Sequence, residues 1–143
     1  MAIILASASP RRKELMGLLK LPFAVKVADI DEAMDPEKTP FEEVARVSRR
    51  KAEAVKRQPG DVVIAADTIV VCKDRVLGKP ADKQEAFEML HLLSGQKHQV
   101  MTGMSVLRRD RCLTCTQITD IHFRPLSDKE INAYIRTGEP MDK

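Results

Sequence analysis

The strongest constraint on the fold of this chain is a nearly unbroken apolar run at residues 61–72, Asp-Val-Val-Ile-Ala-Ala-Asp-Thr-Ile-Val-Val-Cys. A continuous apolar run of this kind predicts a central strand that is covered on both faces. Helical patterns before and after the run supply the covering layers. At 143 residues the chain has the length of one domain. The run therefore predicts a strand that lies inside a sheet.

Capping signals and periodicity divide the rest of the chain into short elements. A strand is predicted at 2–6, and Ser9 followed by Pro10 predicts a helix start. The apolar face of this first helix is expected to consist of Leu15, Met16, Leu18 and Leu19. The other predicted elements are a strand at 22–28, an acidic loop at 29–38, a helix from 39–42 to about Lys56 with a stripe beginning at Phe41, a short return strand before Gly78, a helix at 82–94, strands at 98–108 and 113–123, and a helix from Ser127 to near Gly138.

Composition argues against several classes of function. The chain has 24 Lys and Arg against 21 Asp and Glu, and this net charge of +3 is too weak to indicate nucleic-acid binding by itself. Four Phe, one Tyr and no Trp argue against a stacking platform for single-stranded nucleic acid. No apolar run approaches the ~20 residues of a membrane span. We therefore expect no specific nucleic acid and no membrane as partners, and the cytoplasm is the default location.

Three cysteines, an odd number, do not indicate a disulfide framework. Cys112 and Cys115 form a C-x-x-C pattern within a predicted strand, where residues three apart point to opposite faces. We interpret both as ordinary strand residues. A homodimer is compatible with the sequence, which does not determine the oligomeric state.

The segment from Ser7 to Arg12, Ser-Ala-Ser-Pro-Arg-Arg, joins the first predicted strand to the first helix. Free N–H groups and the positive end of the dipole make a helix start a natural phosphate seat. Arg11 and Arg12 in the first turn oppose that dipole, and a bound phosphate would remove the opposition. The alternative is a capped helix with two solvated arginines, and spacing alone does not decide between the two interpretations.

Two acidic residues are candidates for chemistry. Asp67 interrupts the apolar run, and an unpaired buried carboxylate is costly. We expect it at a cleft, on a metal, or satisfied by hydrogen bonds such as one from Thr68, although a structural role is the commoner outcome for such a residue. Glu32 lies in the acidic loop, which could hold a divalent cation through oxygen ligands. On sequence alone, a solvated loop is the simpler interpretation for Glu32.

Two lysines are candidates for binding phosphate. Lys51 flanks the buried stripe of the second predicted helix rather than its solvent side. Lys79 lies in a stiff turn between Gly78 and Pro80. Most lysines are solvated surface residues, so neither identifies a phosphate site when it is taken alone.

Taken together, these segments resemble the Maf family of nucleotide pyrophosphatases, also described as septum-formation inhibitors. The resemblance covers the whole chain in order, and the Ser-x-Ser-Pro-Arg-Arg opening combined with Ala-Asp-Thr and Gly-Lys-Pro is highly specific. The matching runs are Leu5 to Arg12, Ala66 to Thr68, Leu77 to Pro80, Met89-Leu90 with Leu93 to Gly95, His98 to Val100 with Thr102-Gly103, and Glu139 to Lys143.

The resemblance implies an α/β fold related to the inosine-triphosphatase-like enzymes, with a mixed, twisted sheet, flanking helices and two lobes around a cleft. It implies hydrolysis of a nucleoside triphosphate to the monophosphate and pyrophosphate, with a divalent metal, Mg²⁺ or Mn²⁺. A small-molecule nucleotide is therefore the expected partner. Family members continue beyond the Glu-Pro-Met-Asp-Lys run, so the chain is expected to be a single Maf-like domain, 1–143, without the family's C-terminal part.

The resemblance also implies roles for individual residues. Ser7, Arg11 and Arg12 are implied to hold the phosphates, Glu32, Lys51, Asp67 and Lys79 to complete the catalytic cleft, and Asp67 to be the proton acceptor. By their chemistry, Lys51 and Lys79 would join the arginines in balancing phosphate charge. Asp67 and Glu32 would hold the metal, and Asp67 would accept the proton of water instead of, or in addition to, this role. Arg11 and Thr68 match the dTTP/UTP subgroup, whereas the 7-methyl-GTP subgroup usually differs at both positions. The resulting hypothesis is a dTTP/UTP pyrophosphatase that clears aberrant nucleotides. The alternative is a non-catalytic nucleotide-binding regulator of septum formation.

Overall fold

A computed structural model of the chain describes residues 1–27 and 29–141, the last of them by its backbone. Within these residues the chain forms six strands, four α-helices and one 3-10 helix. In chain order they are β1 (Ile3–Leu5), α1 (Pro10–Gly17), β2 (Ala24–Val25), α2 (Pro40–Ala54), β3 (Val62–Cys72), β4 (Arg75–Leu77), α3 (Lys83–Leu93), β5 (Lys97–Arg108), β6 (Arg111–His122), α4 (Asp128–Arg136) and the 3-10 helix (Glu139–Met141). The end of the Glu139 to Lys143 run, residues 142–143, lies outside the described residues.

The six strands form one mixed sheet. Its order is β2-β1-β3-β5-β6, and β4 pairs with β3 off this path. β1 is parallel to both β2 and β3, whereas β3 and β4 are antiparallel. β3 therefore lies inside the sheet, as its apolar sequence predicts, and the predicted α/β fold with a mixed sheet is confirmed.

Side-chain caps place the helix starts where the sequence predicts them. Ser9 and Thr39 accept hydrogen bonds from the amides of Arg12 and Glu42, at 3.4 and 3.2 Å. Ser127 forms the full capping box with Glu130, because each side chain bonds the other's backbone amide. These bonds satisfy amides that a helix cannot pair internally, which is why the signal is readable within four residues.

The chain divides into two compact units. The first contains Met1–Asp67 and Thr102–Gln117, and the second contains Thr68–Met101 and Ile118–Lys143. The core of the first unit consists of Ile4, Ala6, Ala52, Val55, Val63, Ala65 and Leu107. The second unit has two buried clusters, one of Val70, Cys72, Leu77 and Leu93, and one of Ala86, Leu90, Ile131 and Ile135.

In the first unit, α2 packs with its backbone directly against β5. A Cβ atom added to Gly103 would lie 2.3 Å from the carbonyl oxygen of Val44, a distance that real structures do not tolerate. One turn along the helix, the Ser48 hydroxyl lies 2.7 Å from the Ser105 hydroxyl in a fully buried contact. Gly103 and this serine pair therefore set the distance between α2 and the sheet and the register of α2 along β5.

Four sequence predictions are wrong in detail. Leu15, Leu18 and Leu19 are 63%, 74% and 57% exposed, and Met16 is the buried residue of α1. Because α1 ends at Gly17, Leu18 and Leu19 are not on a helical face at all. Phe41 is also exposed.

The bounds of two further elements differ from their predictions. The predicted strand at 22–28 is only the two-residue β2, and residue 28 lies outside the described residues. α2 ends at Ala54, slightly before the predicted Lys56.

The three cysteines are free thiols: Cys72 is buried, Cys112 is half-buried and Cys115 is exposed. Cys112 and Cys115 both lie on β6, in agreement with their interpretation as strand residues. In the part of the chain that the structure describes, no helix has both the length and the apolarity to cross a bilayer.

Candidate active site

Lys51 of α2 lies at the centre of a cluster of oxygen atoms in the first unit. Its Nζ atom is 2.6 Å from Oε1 of Glu32 and 3.3 Å from Oδ1 of Asp67. It also donates to the backbone carbonyl of Ala66, at 3.3 Å. The side chains of Lys51 and Asp67 are each 13% exposed, whereas that of Glu32 is 56% exposed. One ammonium group thus holds two carboxylates together at the border between the interior and solvent.

The packing of α2 explains why Lys51 reaches this position. Ser48 is fixed against β5 by its contact with Ser105, and Lys51 follows Ser48 by about one helical turn, so both lie near the same side of the helix. Asp67 lies in the middle of β3, the strand inside the sheet. The prediction that Lys51 flanks the buried stripe is confirmed.

Arg12 approaches the same carbonyl from α1. Its Nη1 atom donates to the Ala66 carbonyl oxygen at 2.8 Å and to the Ser7 hydroxyl at 3.2 Å. The buried Ser7 hydroxyl also accepts a hydrogen bond from the Ser9 amide at 3.1 Å. The interpretation of both arginines as solvated residues is therefore wrong for Arg12, whereas Arg11 is exposed in the first turn of α1.

Burial changes the acid–base properties of this cluster. It raises the pKa of Asp67 above its ordinary value, and the charge and hydrogen bond of Lys51 oppose this rise only in part. Burial also lowers the pKa of Arg12, although the nearby charges of Asp67 and Glu32 favour its charged form. Because desolvation penalises an ionised carboxylate, Asp67 accepts a proton more readily than an ordinary aspartate does.

The oxygen donors of the cluster suit a hard divalent cation. Among residues 1–27 and 29–141, no group of three or more His, Cys, Asp or Glu side chains is arranged to hold a metal ion. Two carboxylates, those of Glu32 and Asp67, nevertheless meet at Lys51. Mg²⁺ is commonly bound by one or two carboxylates together with substrate phosphates and water, so the residues present fit that ion.

The structure brings together five of the residues predicted for the site, all in the first unit: Ser7, Arg12, Glu32, Lys51 and Asp67. Thr68 and Lys79 belong to the second unit. Thr68 directly follows Asp67 in β3 and is half-buried, and Lys79 is exposed after the end of β4. The roles of all these residues remain predictions.

Sequence reasoning missed two features of the cluster. The Ala66 carbonyl accepts hydrogen bonds from both Arg12 and Lys51, and no residue-type signal marks a backbone acceptor. The second feature is the pairing of the Glu32 carboxylate with Lys51, because the residues alone favour a solvated loop and Glu32 enters the predicted site through the family resemblance. The only sequence signal for that pairing is opposite charge, which is common on any surface.

Solved structures define the class of fold. A HAM1 protein from Coxiella burnetii superposes with a TM-score of 0.56 at 17% identity, covering 85% of this chain and 72% of that one. A nucleoside-triphosphatase described as a dITP/XTP pyrophosphatase from Mycobacterium abscessus gives a TM-score of 0.52 at 12% identity. The superposition covers 97% of this chain and 96% of that one. At these identities the likeness concerns the fold alone, and it confirms the predicted relationship to inosine-triphosphatase-like folds.

The chain belongs to the Maf family. The family model described as "Maf-like protein" matches residues 2–143. A dTTP/UTP pyrophosphatase of Symbiobacterium thermophilum is 50% identical over 142 residues, which cover 99% of this chain and 73% of the relative. Proteins of the same name from Yersinia pestis and Halalkalibacterium halodurans are 49% and 47% identical, with 99% of this chain and 73% and 75% of the relatives covered. The family resemblance seen in the sequence motifs is confirmed.

Proposed function

We propose that this protein hydrolyses dTTP and UTP to the monophosphate and pyrophosphate, as part of nucleotide house-cleaning. The observation that carries the proposal is the meeting of Glu32 and Asp67 at Lys51, beside the Arg12 guanidinium. This arrangement lies in a chain whose relatives, at 44–50% identity, are named dTTP/UTP pyrophosphatases. We also propose the cytoplasm as its compartment, where thiols such as Cys72, Cys112 and Cys115 stay reduced.

The cations of the cluster are suited to a triphosphate chain. Arg12 offers a planar guanidinium that can bind phosphate oxygens in a bidentate manner. Arg12 already donates to the Ser7 hydroxyl at the turn between β1 and α1. This turn adjoins the N-terminal end of α1, where the first backbone amides of a helix are directed outward. In this proposal Arg12 and Lys51 stabilise the negative charge that develops on the pyrophosphate leaving group. Lys79 and Arg11 join them on the basis of the family resemblance.

Asp67 is suited to accept the proton of the attacking water. Burial raises the pKa of this carboxyl group, and a base whose pKa is closer to neutral drives proton transfer more effectively. The Lys51 ammonium forms ion pairs with both the Asp67 and the Glu32 carboxylates and so helps to hold Asp67 in position. We propose Glu32 and Asp67 as the residues that hold Mg²⁺. When bound, such a cation neutralises phosphate charge and positions water.

The bond that is cleaved and the preferred base are tested together. The purified protein with Mg²⁺ is assayed with dTTP, UTP, CTP and 7-methyl-GTP in ¹⁸O-labelled water. We expect label in the monophosphate, as attack at the α-phosphorus requires, and pyrophosphate as the second product. We also expect kcat/KM to be higher for dTTP and UTP than for 7-methyl-GTP, because Arg11 and Thr68 match the pyrimidine subgroup.

Each alternative has its own outcome in this assay. A preference for 7-methyl-GTP would overturn the subgroup assignment alone. Label in pyrophosphate or in inorganic phosphate, and not in the monophosphate, would overturn the bond assignment. A folded protein that hydrolyses none of the four nucleotides in the presence of metal would favour the non-catalytic regulator of septum formation.

Arg12→Ala is expected to weaken binding of dTTP more than binding of dTMP. The substitution removes a guanidinium that lies over the Ala66 carbonyl and Ser7, and the outer phosphates present the greater negative charge. Hydrogen bonds to charged groups predict a loss of roughly tenfold or more for the triphosphate. Titration calorimetry measures both ligands, and Arg49→Ala, on the exposed side of α2, is the control. Equal losses for the two ligands would show that Arg12 does not contact the outer phosphates.

A further inference from the structure

Glu43 is a charged residue buried in the first turn of α2. It is only 1% exposed, a condition that carboxylates tolerate only when they are well paired. Its two carboxylate oxygens accept hydrogen bonds from Arg46, with Nε at 3.0 and 3.1 Å and Nη2 at 2.7 Å. These bonds lower the pKa of Glu43 and keep it ionised at neutral pH.

The remaining contacts of this pair are with the acidic loop, residues 29–38. The Glu43 carboxylate also accepts the amide of Asp35, at 2.9 Å. Arg46 Nη2 donates to the carbonyl oxygen of Ala33, at 3.0 Å. Four residues further along the helix, Arg50 donates to the carbonyl oxygen of Asp31, also at 3.0 Å. One side of α2 therefore binds the backbone of the loop at three alternate residues.

Two of these hydrogen bonds flank Glu32 in the chain. Asp31 and Ala33 are its two neighbours in the chain, and both of their carbonyl groups are held by arginines of α2. The Glu32 side chain is more than half exposed, so burial does not restrain it. A solvent-exposed loop residue loses conformational entropy when it is fixed in one position, and the bonds to its neighbours reduce the freedom that remains to be lost. Lys51, the ion-pair partner of Glu32, is on the same helix.

We propose that Glu43 and Arg46, with Arg50, are positioning residues that hold the acidic loop so that the Glu32 carboxylate stands at Lys51 and Asp67. This inference rests on the proposed function, because the catalytic consequence requires that Glu32 act at the site. The hydrogen bonds of these three residues to the loop all go to its backbone, so they act on Glu32 through the backbone of the loop. The helix that supplies Lys51 thereby also sets the position of the opposing carboxylate.

The test is Glu43→Gln, which keeps the shape of the side chain and removes its charge. Amide hydrogen exchange measured by NMR reports on the loop without any substrate. We expect the Asp35 amide to exchange roughly tenfold faster, since its acceptor loses a charge-assisted bond. Binding of Mn²⁺ alone, followed by electron paramagnetic resonance, is expected to weaken by roughly 10- to 100-fold, as for other partners of metal ligands.

Glu53→Gln is the matched control on the same helix. Glu53 pairs with Arg49 at 2.8 Å, and both side chains are about half exposed. This variant is expected to match wild type in loop exchange, Mn²⁺ binding and kcat/KM for dTTP. In Glu43→Gln, kcat/KM for dTTP is expected to fall by roughly tenfold or more. Most of this decrease is expected in kcat, which is measured at saturating dTTP. Glu43→Asp is expected to restore part of the loss.

Arg50→Gln covers the case in which Glu43→Gln does not fold. It removes only the bond to Asp31 from a half-buried side chain, and faster exchange in residues 31–35 is expected. Unchanged loop exchange in a folded Glu43→Gln, or a loosened loop with wild-type Mn²⁺ binding, would overturn the proposal. If wild type hydrolyses no nucleotide, the proposed function fails, while loop exchange and Mn²⁺ binding still decide whether these residues position Glu32.

Discussion

Asp67→Asn is expected to reduce hydrolysis of dTTP by roughly a hundredfold or more while leaving the protein as stable as wild type or more stable. Loss of a general base or of a metal-binding carboxylate has effects of this size. The stability follows from the sign of the pKa shift. Burial raises the pKa of Asp67 in the folded state, so its contribution favours folding below the ordinary value of 3.8 and is lost as the pH rises through the folded pKa.

At neutral pH the ionised Asp67 therefore opposes folding, and asparagine removes that effect. Lys51 keeps its bonds to Glu32 and to the Ala66 carbonyl in this variant. The measurements are kcat/KM for dTTP and the melting temperature at pH 7. Asp120→Asn serves as the control, because Asp120 is an exposed strand carboxylate on β6 that bonds Gln99. A folded Asp67→Asn variant with near-normal turnover would remove Asp67 from the mechanism.

The same shift predicts how Asp67 titrates in the metal-free protein. Burial raises the pKa of its carboxyl group, so Asp67 is expected to take up a proton at a pH above the ordinary value of 3.8. Lys51→Met would remove the charge that opposes the rise, and the titration should then move to still higher pH. NMR of the side-chain carboxyl carbon measures both titrations, and a transition at or below the ordinary aspartate value would contradict the raised pKa.

Gly103→Ala is expected to destabilise the protein by about 2 kcal/mol or more, or roughly 6 °C in Tm. The added methyl group would lie 2.3 Å from the Val44 carbonyl oxygen and 2.7 Å from the Ala45 nitrogen. Both are backbone atoms of α2, so no side-chain rotation can relieve the overlap, and the helix must move away from β5. Because α2 carries Lys51, hydrolysis should fall even at temperatures where the variant is folded.

Gly17→Ala is the matched control for this substitution. A Cβ atom at Gly17 would meet nothing within 4 Å, and Gly17 is the last residue of α1. Alanine there is expected to be neutral or mildly stabilising, since it restricts the unfolded chain. Differential scanning calorimetry of both variants gives the comparison. A Gly103→Ala variant that melts within about a degree of wild type would contradict the close approach of α2 to β5.

The features that the sequence determines by itself are those whose causes lie within a few residues. The caps at Ser9 and Ser127 need only one side chain and an amide three residues away. The interior position of β3 follows from its own apolar composition, which only a strand covered on both faces can bury.

Whether the leucines of the first predicted helix are buried or exposed was the least predictable part of the fold. An apolar residue is buried only if another element covers it, and the spacing of Leu15, Leu18 and Leu19 contains no information about what lies opposite. Termination of α1 at Gly17 removes two of the three from the helix altogether. Phe41 is exposed for the same general reason, although the stripe that it begins is otherwise largely buried.

The chemistry of the candidate site was partly readable from the sequence. A carboxylate inside an apolar strand identified Asp67, and helical spacing placed Lys51 beside the buried face of α2. The sequence did not show that Arg12 turns inward while Arg11 is exposed, or that the Ala66 carbonyl accepts from both Arg12 and Lys51.

What only the tertiary structure decided is how residues far apart in the chain share one position. Lys51 meets Asp67 across 16 residues, and Arg12 meets the Ala66 carbonyl across 54. The acidic loop has no periodicity, and one local bond, from the Ala33 amide to the Asp31 side chain at 2.9 Å, spans Glu32. The position of the loop against α2 depends on its hydrogen bonds with Glu43, Arg46 and Arg50. Such contacts form only in the folded chain, because α2 must pack onto β5 before its side chains can reach β3 and the acidic loop.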